Sequence, residues 1–435
     1  MTNGMTVRRP FCFLTQFWGQ RYRDYFVDLC LPSLLAPGNL PLLRAIDGHR
    51  FLIAAPKEDW DAIKHLRVIE QARQYVTPTL IETPAPSESS YEAVLRHQTY
   101  GLKRVLEAAY GYQSFGSAVW PDTIISDGMV AALLRFALAG HHLVMQPTIR
   151  LTEEPVLGEL TARGLLPTEE KLSNMARAIV VTPRLAADLS IRHLHPDVEI
   201  FEEGHPRQPP QPPYRFWRVP SRRGIILHVF SATPVLMDFA VVPPDHAACL
   251  DQWDWESVYI GRTFSHCGGL HVVTDSDECG ILSITPALVN RAACLPTRRF
   301  GARWMPQLAL LRDMRGSLAA YTCPQEDTVR GQLFRASVCW HADDLDAAYA
   351  REQQRIARLI DRAAGDYYAN GNRFPSRISV KPKYLIIDLF SMLESTYRLF
   401  GHIRTILRAF GGHAADAERV RRRIDLVVGR YRAQR

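Results

Sequence analysis

The chain lacks most of the short motifs that mark common enzyme chemistries. It has no GxxxxGK[ST], which excludes a phosphate-cradling P-loop, and no GxGxxG, the usual dinucleotide fingerprint. There is no GxSxG elbow; Tyr112-Gln113-Ser114-Phe115-Gly116 lacks the first glycine. No HExxH helix is present. Most kinases, dehydrogenases, serine hydrolases and zinc proteases are thereby removed. Cysteine is scarce, eight in 435 residues, and none forms a CxxC pair. A zinc knuckle or thioredoxin-like site is excluded, leaving small buried thiols. No apolar run approaches the ~20 residues that span a bilayer. The stretch 1–18 is too short and too polar for a signal peptide, so the expectation is a cytoplasmic protein.

The remaining composition is that of a globular chain, 47% hydrophobic and 22% charged. Its net charge of +7 is concentrated at one end. Residues 401–435 hold nine arginines against Asp416, Glu418 and Asp425, a local +6. A basic tail on a near-neutral body points to an anionic surface. No nucleic-acid-binding partner is expected, because no RNP, KH or zinc-finger pattern occurs.

The first 150 residues alternate between strand and helix patterns. Apolar runs at 11–15, 50–55, 75–82, up to 120, and 142–145 read as buried strands. Between them lie helical stripes at 20–34, 57 onward, 91–109 and 129–139. That rhythm predicts an α/β domain with right-handed crossovers. Ligands in such sheets bind beyond the carboxyl ends of the strands, which singles out the residues after Leu14, Ala55, Trp120 and Met145. Further strands are expected at 224–230, 270–273 and 281–284, after a proline-rich segment at 206–213. From about residue 343 the chain turns helical. An amphipathic helix over 383–410 and a basic helix over 415–431 are expected.

Carboxylates at strand ends are the candidate chemistry. In Val272-Val273-Thr274-Asp275-Ser276-Asp277-Glu278, Asp275 and Asp277 follow an apolar strand at i and i+2. That spacing suits a hard cation such as Mg²⁺ or Mn²⁺ bridging a diphosphate, or a solvated acidic turn. Asp122 follows the strand ending at Trp120; Asp127 can equally cap the next helix. Thr15, Gln16, Trp18 and Gly19 follow the first strand, where an aromatic shelf can stack on a base or plug the core. His228 is a metal or phosphate ligand, or a hydrogen-bonded core histidine. Asp254 lies between Trp253 and Trp255, a composition suited to sugars or to a loop with buried rings.

These features together resemble the GT-A-type, nucleotide-sugar-dependent glycosyltransferases. The likeness rests on Phe13-Leu14-Thr15-Gln16-Phe17-Trp18-Gly19 with Tyr22 and Tyr25, and on Pro32-Ser33-Leu34-Leu35-Ala36-Pro37-Gly38-Asn39. It continues through Trp120-Pro121-Asp122 to Asp127-Gly128 and through Val273-Thr274-Asp275-Ser276-Asp277-Glu278, about residues 10–290 in all. The resemblance implies a Rossmann-like, mixed α/β sheet with flanking helices over 1–335 and a helical C-terminal region over 336–435. It implies a nucleotide-sugar donor site at Thr15, Gln16, Trp18, Gly19, Asp122, Asp127 and Arg150. It implies Mn or Mg at Asp275, Asp277 and His228, and Asp254 or Asp238 as the base that deprotonates an acceptor hydroxyl. The chain departs from the family pattern in having its D-x-D far later than usual; Arg150 can then compensate phosphate charge. The acceptor would be a glycan or lipid-linked sugar, reached from the inner membrane face through the basic tail. The 383–410 helix would pack on the core, the membrane or a homodimer partner. Two other readings stay open: a non-catalytic interaction protein of the same fold, and a metal-dependent phosphohydrolase or nuclease using Asp122, Asp275 and Asp277.

Overall fold

The computed structural model describes residues 9–45, 47–86, 91–167, 172–175, 177–205, 208–209, 212–230, 232–242, 260–264, 270–287, 310–311, 313–314, 317–318 and 328–370. The expected helices at 383–410 and 415–431, and Asp254, lie outside the described residues. Among the described residues, no helix is long and apolar enough to cross a membrane.

Thirteen strands are described. They are β1 (Phe11–Gln16), β2 (Arg50–Ala55), β3 (Thr77–Glu82), β4 (Phe115–Ala118), β5 (Thr123–Ile125), β6 (Leu143–Gln146) and β7 (Ile149–Thr152). Then follow β8 (Tyr214–Arg218), β9 (Gly224–Val229), β10 (Thr233–Asp238), β11 (Leu270–Val272), β12 (Ile281–Thr285) and β13 (Val338–His341). Seven of them form the central sheet, in the order β11-β6-β10-β4-β1-β2-β3. All run parallel except β10, which is antiparallel to both β4 and β6. The mixed α/β architecture agrees with the sequence. Strand β10 is not among the strands expected from the sequence; it carries Pro234, and proline usually excludes a central strand. It is accommodated by an irregularity between Pro234 and Leu236 in the pairing with β6.

The sheet is covered on both faces, which is why β1 is buried at every position and apolar from Phe11 to Leu14. Cys12 and Leu14 pack with Leu102, Val105 and Leu106 of the helix Tyr91–Gly111. Phe11 and Phe13 face the other way, onto Phe26, Met129 and Leu133. Gly116 sits where β4 passes the Phe239 ring; an added Cβ would run into that ring. Two three-stranded sheets flank the main one, β5-β12-β7 and β13-β9-β8. Strand β13 lies beyond residue 335 yet pairs antiparallel with β9. The helix Ala347–Asn370 packs Tyr349, Ile356 and Ile360 against Trp217 and Ile226 of that small sheet.

Candidate functional site

Because β1, β4 and β6 are parallel, their carboxyl ends share one edge, and a cavity of about 830 Å³ opens there. Gln16 ends β1, and Trp18 and Tyr22 follow it. Trp120 and Asp122 follow β4; Thr148 and Arg150 follow β6. Thr233 enters from the start of the antiparallel β10, its hydroxyl 2.8 Å from that of Thr148. The opposite wall holds Asp197, Phe201 and Tyr214. Trp18 is set edge-on to His97, with ring centroids 4.6 Å apart, and its partly exposed indole lines the cavity.

Gln16 is only 5% exposed, and neither amide atom has a hydrogen-bond partner. Leaving such a buried amide unpaired costs about 1–3 kcal/mol. Its oxygen lies against Gly101, where an added Cβ would come within 2.5 Å. Desolvation pushes the Asp122 carboxyl up to about 6. A hydrogen bond from its own backbone, and the charges of Arg150 and Arg21, only partly oppose that rise. Tyr22 and Tyr214 are also raised, first by burial. Arg21 is committed elsewhere, to Tyr25 and Glu153.

The structure thus gathers Gln16, Trp18, Asp122 and Arg150 of the residues expected at a donor site. It places three others outside the cavity. Thr15 is buried on the opposite face of β1, since successive side chains alternate. Gly19 turns the chain at φ +75° and donates its N–H to Asp59, 2.8 Å away. Asp127 accepts the N–H of Gly38 at 2.6 Å and caps no helix; Gly128, at φ +90°, holds that position instead.

The expected acid–base and metal residues are placed differently again. Asp238 ends the antiparallel β10 and therefore lies at the opposite edge of the sheet. There it binds the Arg9 guanidinium and His142, which hold its carboxyl below the ordinary range against the cost of burial. It is a structural tie and does not face the cavity. His228 is fully buried in β9, with Nδ1 2.8 Å from the Phe334 carbonyl and Nε2 3.0 Å from the Ser337 hydroxyl. Both ring nitrogens are occupied, so it is a core histidine and not a metal ligand. Asp275 and Asp277 do approach a histidine, but it is His341 of β13. The three offer ligand atoms all within 4.8 Å of one another, a spacing that can hold a cation. No member of that trio lines the cavity. The group is also internally neutralised. His341 Nε2 lies 2.8 Å from Asp275, and Arg184 reaches Asp277 at 3.2 Å. The trio therefore does not fit a cation that bridges a donor diphosphate in the cavity.

Sequence reasoning missed Asp197, Phe201, Tyr214 and His341. By its sequence alone, His193-Leu194-His195-Pro196-Asp197 reads as a helix end or a metal site, and neither reading places Asp197 in a cavity. Indeed His193 closes the helix Pro183–Arg192 and contacts Glu159. The bridge Leu151–Leu194, the bond from His195 N–H to the Arg150 carbonyl and the bond from Thr152 N–H to the His193 carbonyl bring Asp197 beside β7. The described cysteines Cys12, Cys30, Cys279 and Cys339 are buried and unbridged, and burial raises every thiol, Cys339 to about 12.

No family model matches the chain, and no curated protein matches it. Among solved structures, a glucose-1-phosphate thymidylyltransferase from Bacillus anthracis in complex with a sucrose aligns at 14% identity and a TM-score of 0.19. The alignment covers 34% of this chain and 57% of that one, too slight an overlap to identify an activity.

Proposed function

We propose that the protein is a glycosyltransferase that takes a sugar from a nucleotide-sugar donor bound in the cavity beyond β1, β4 and β6. The observation that carries this reading is the convergence of Gln16, Trp18, Asp122 and Arg150 in one cleft. An aromatic face, an unsatisfied amide, a carboxyl and a cation are the groups that a base, a diphosphate and an acceptor hydroxyl require. Trp18 stacks on the base, and the Gln16 amide, carrying both donor and acceptor, pairs with its edge. Asp122, and not Asp238 at the far edge of the sheet, takes the proton from the acceptor hydroxyl. A carboxyl near 6 is ionised at neutral pH yet basic enough for that step. Phe201, Tyr214 and Asp197 form an acceptor wall, in which rings stack on sugar faces and the acid binds hydroxyls.

The test is sugar release and transfer from a panel of nucleotide sugars by wild type and Asp122→Asn. Turnover of one donor, reduced at least ~100-fold in the variant, supports the reading. Turnover of a donor that survives Asp122→Asn refutes the role of Asp122. Nucleotide binding without turnover of any donor favours the non-catalytic alternative.

A further inference from the structure

Arg150 is the one arginine or lysine among the described residues that line the cavity. Along β7 the side chains alternate: Ile149 and Leu151 are buried in the core, and Arg150 between them is exposed and lines the cavity. It makes no ion pair or side-chain hydrogen bond to any described residue. Other described arginines are committed: Arg21 to Glu153, Arg184 to Asp277 and Asp344, Arg192 to Glu159. An uncommitted guanidinium in a cleft offers a planar fork that matches phosphate oxygens. A second, independent observation points to a ligand at the same place. Gln16, more than nine-tenths buried, is among the lining residues, and both its amide atoms are unpaired.

The alternative is a divalent cation, and its ligands are poorly placed. The described carboxylates lining the cavity are Asp122 and Asp197. The trio of described residues with metal-ligand spacing is Asp275, Asp277 and His341, outside it. A dication on Asp122 would also stand within the field of Arg150, which would repel it.

We propose, resting on the donor-site reading above, that this cavity binds nucleoside diphosphates and their sugars without a divalent cation, with Arg150 neutralising the diphosphate. In transfer, the bond between the sugar's anomeric carbon and the phosphate oxygen breaks, and its electron pair stays on that oxygen. Arg150 meets the charge left there. The acceptor oxygen bonds to the anomeric carbon, and its proton passes to Asp122.

The experiment is calorimetric titration of the full chain with UDP, TDP, GDP, CDP and ADP, in EDTA and again with Mn²⁺ or Mg²⁺. The corresponding nucleosides serve as phosphate-free controls. The expected result is one diphosphate whose affinity changes less than about threefold between the two buffers. Arg150→Ala should weaken it about 10- to 100-fold, Arg150→Lys less, and neither should alter nucleoside binding. The double variant Asp275→Ala/Asp277→Ala should bind it as wild type does. Affinity that appears only with metal overturns this inference and leaves the donor-site reading standing, as does diphosphate binding indifferent to Arg150→Ala. Binding of no nucleotide in either buffer overturns both.

Discussion

Replacing Asp122 by asparagine should make the protein more stable at neutral pH while removing its activity. The half-buried Asp122 lines the cavity, where desolvation lifts its carboxyl from 3.8 to about 6. The folded state therefore binds this proton more tightly than the unfolded chain does. The stability linked to that proton is fully present below 3.8 and is lost as the pH rises through 6. Above that value, the ionised group costs the folded state about 3 kcal/mol, at about 1.4 kcal/mol per pKa unit. The asparagine amide carries no charge and escapes the cost. The comparison should be made at about pH 7.5 and about pH 4.5, by thermal unfolding of both proteins. The variant should melt a few degrees above wild type at the higher pH, with most of the difference gone at the lower. Comparing the two proteins at each pH cancels the titration of every other group. A variant destabilised equally at both values would show that Asp122 is held by native hydrogen bonds and not by a desolvating pocket. The opposed signs are the mark of a functional group, since stability is sacrificed where a charge is kept out of water.

His228, with its ring nitrogens occupied and its pKa pushed down to about 4 by burial, has the opposite linkage. Its contribution to stability should be present above 6.5 and disappear as the pH falls towards 4, and His228→Ala should cost about 2–4 kcal/mol in denaturant titrations without changing metal affinity. Asp238→Ala should lower the unfolding free energy by about 2–4 kcal/mol, because Arg9 and His142 lose their partner. The fraction still folded should transfer sugar at the wild-type rate; a large loss of kcat would restore Asp238 as a base. Gly101→Ala should displace the Gln16 amide and weaken nucleotide binding about tenfold in the same titration, whereas unchanged affinity would remove Gln16 from the site. Gly38→Ala should instead unfold the protein more easily, since its Cβ would meet the Gly128 backbone nitrogen at 2.7 Å.

The sequence alone determined the strand–helix rhythm of the first 150 residues. The reason is that doubly covered strands must be apolar throughout and the helices between them must be striped. It therefore placed β1, β2, β4 and β6 within a residue or two, and with them the edge where Gln16, Trp18, Asp122 and Arg150 meet. It did not reveal β10, because a proline-containing run looks like a loop until its bulge is known. Nor could it assign Asp238, since only the antiparallel direction of β10 carries that carboxylate to the far edge of the sheet. The same limit applied to the acidic turn. Asp275 and Asp277 have the spacing of a metal pair, but which histidine they meet, and whether they face the cavity, depends on β13 lying beside them. Local patterns record each element's own burial. Contacts between residues far apart in the chain are decided by sheet order, and that is where Asp197, Tyr214 and His341 acquired their neighbours.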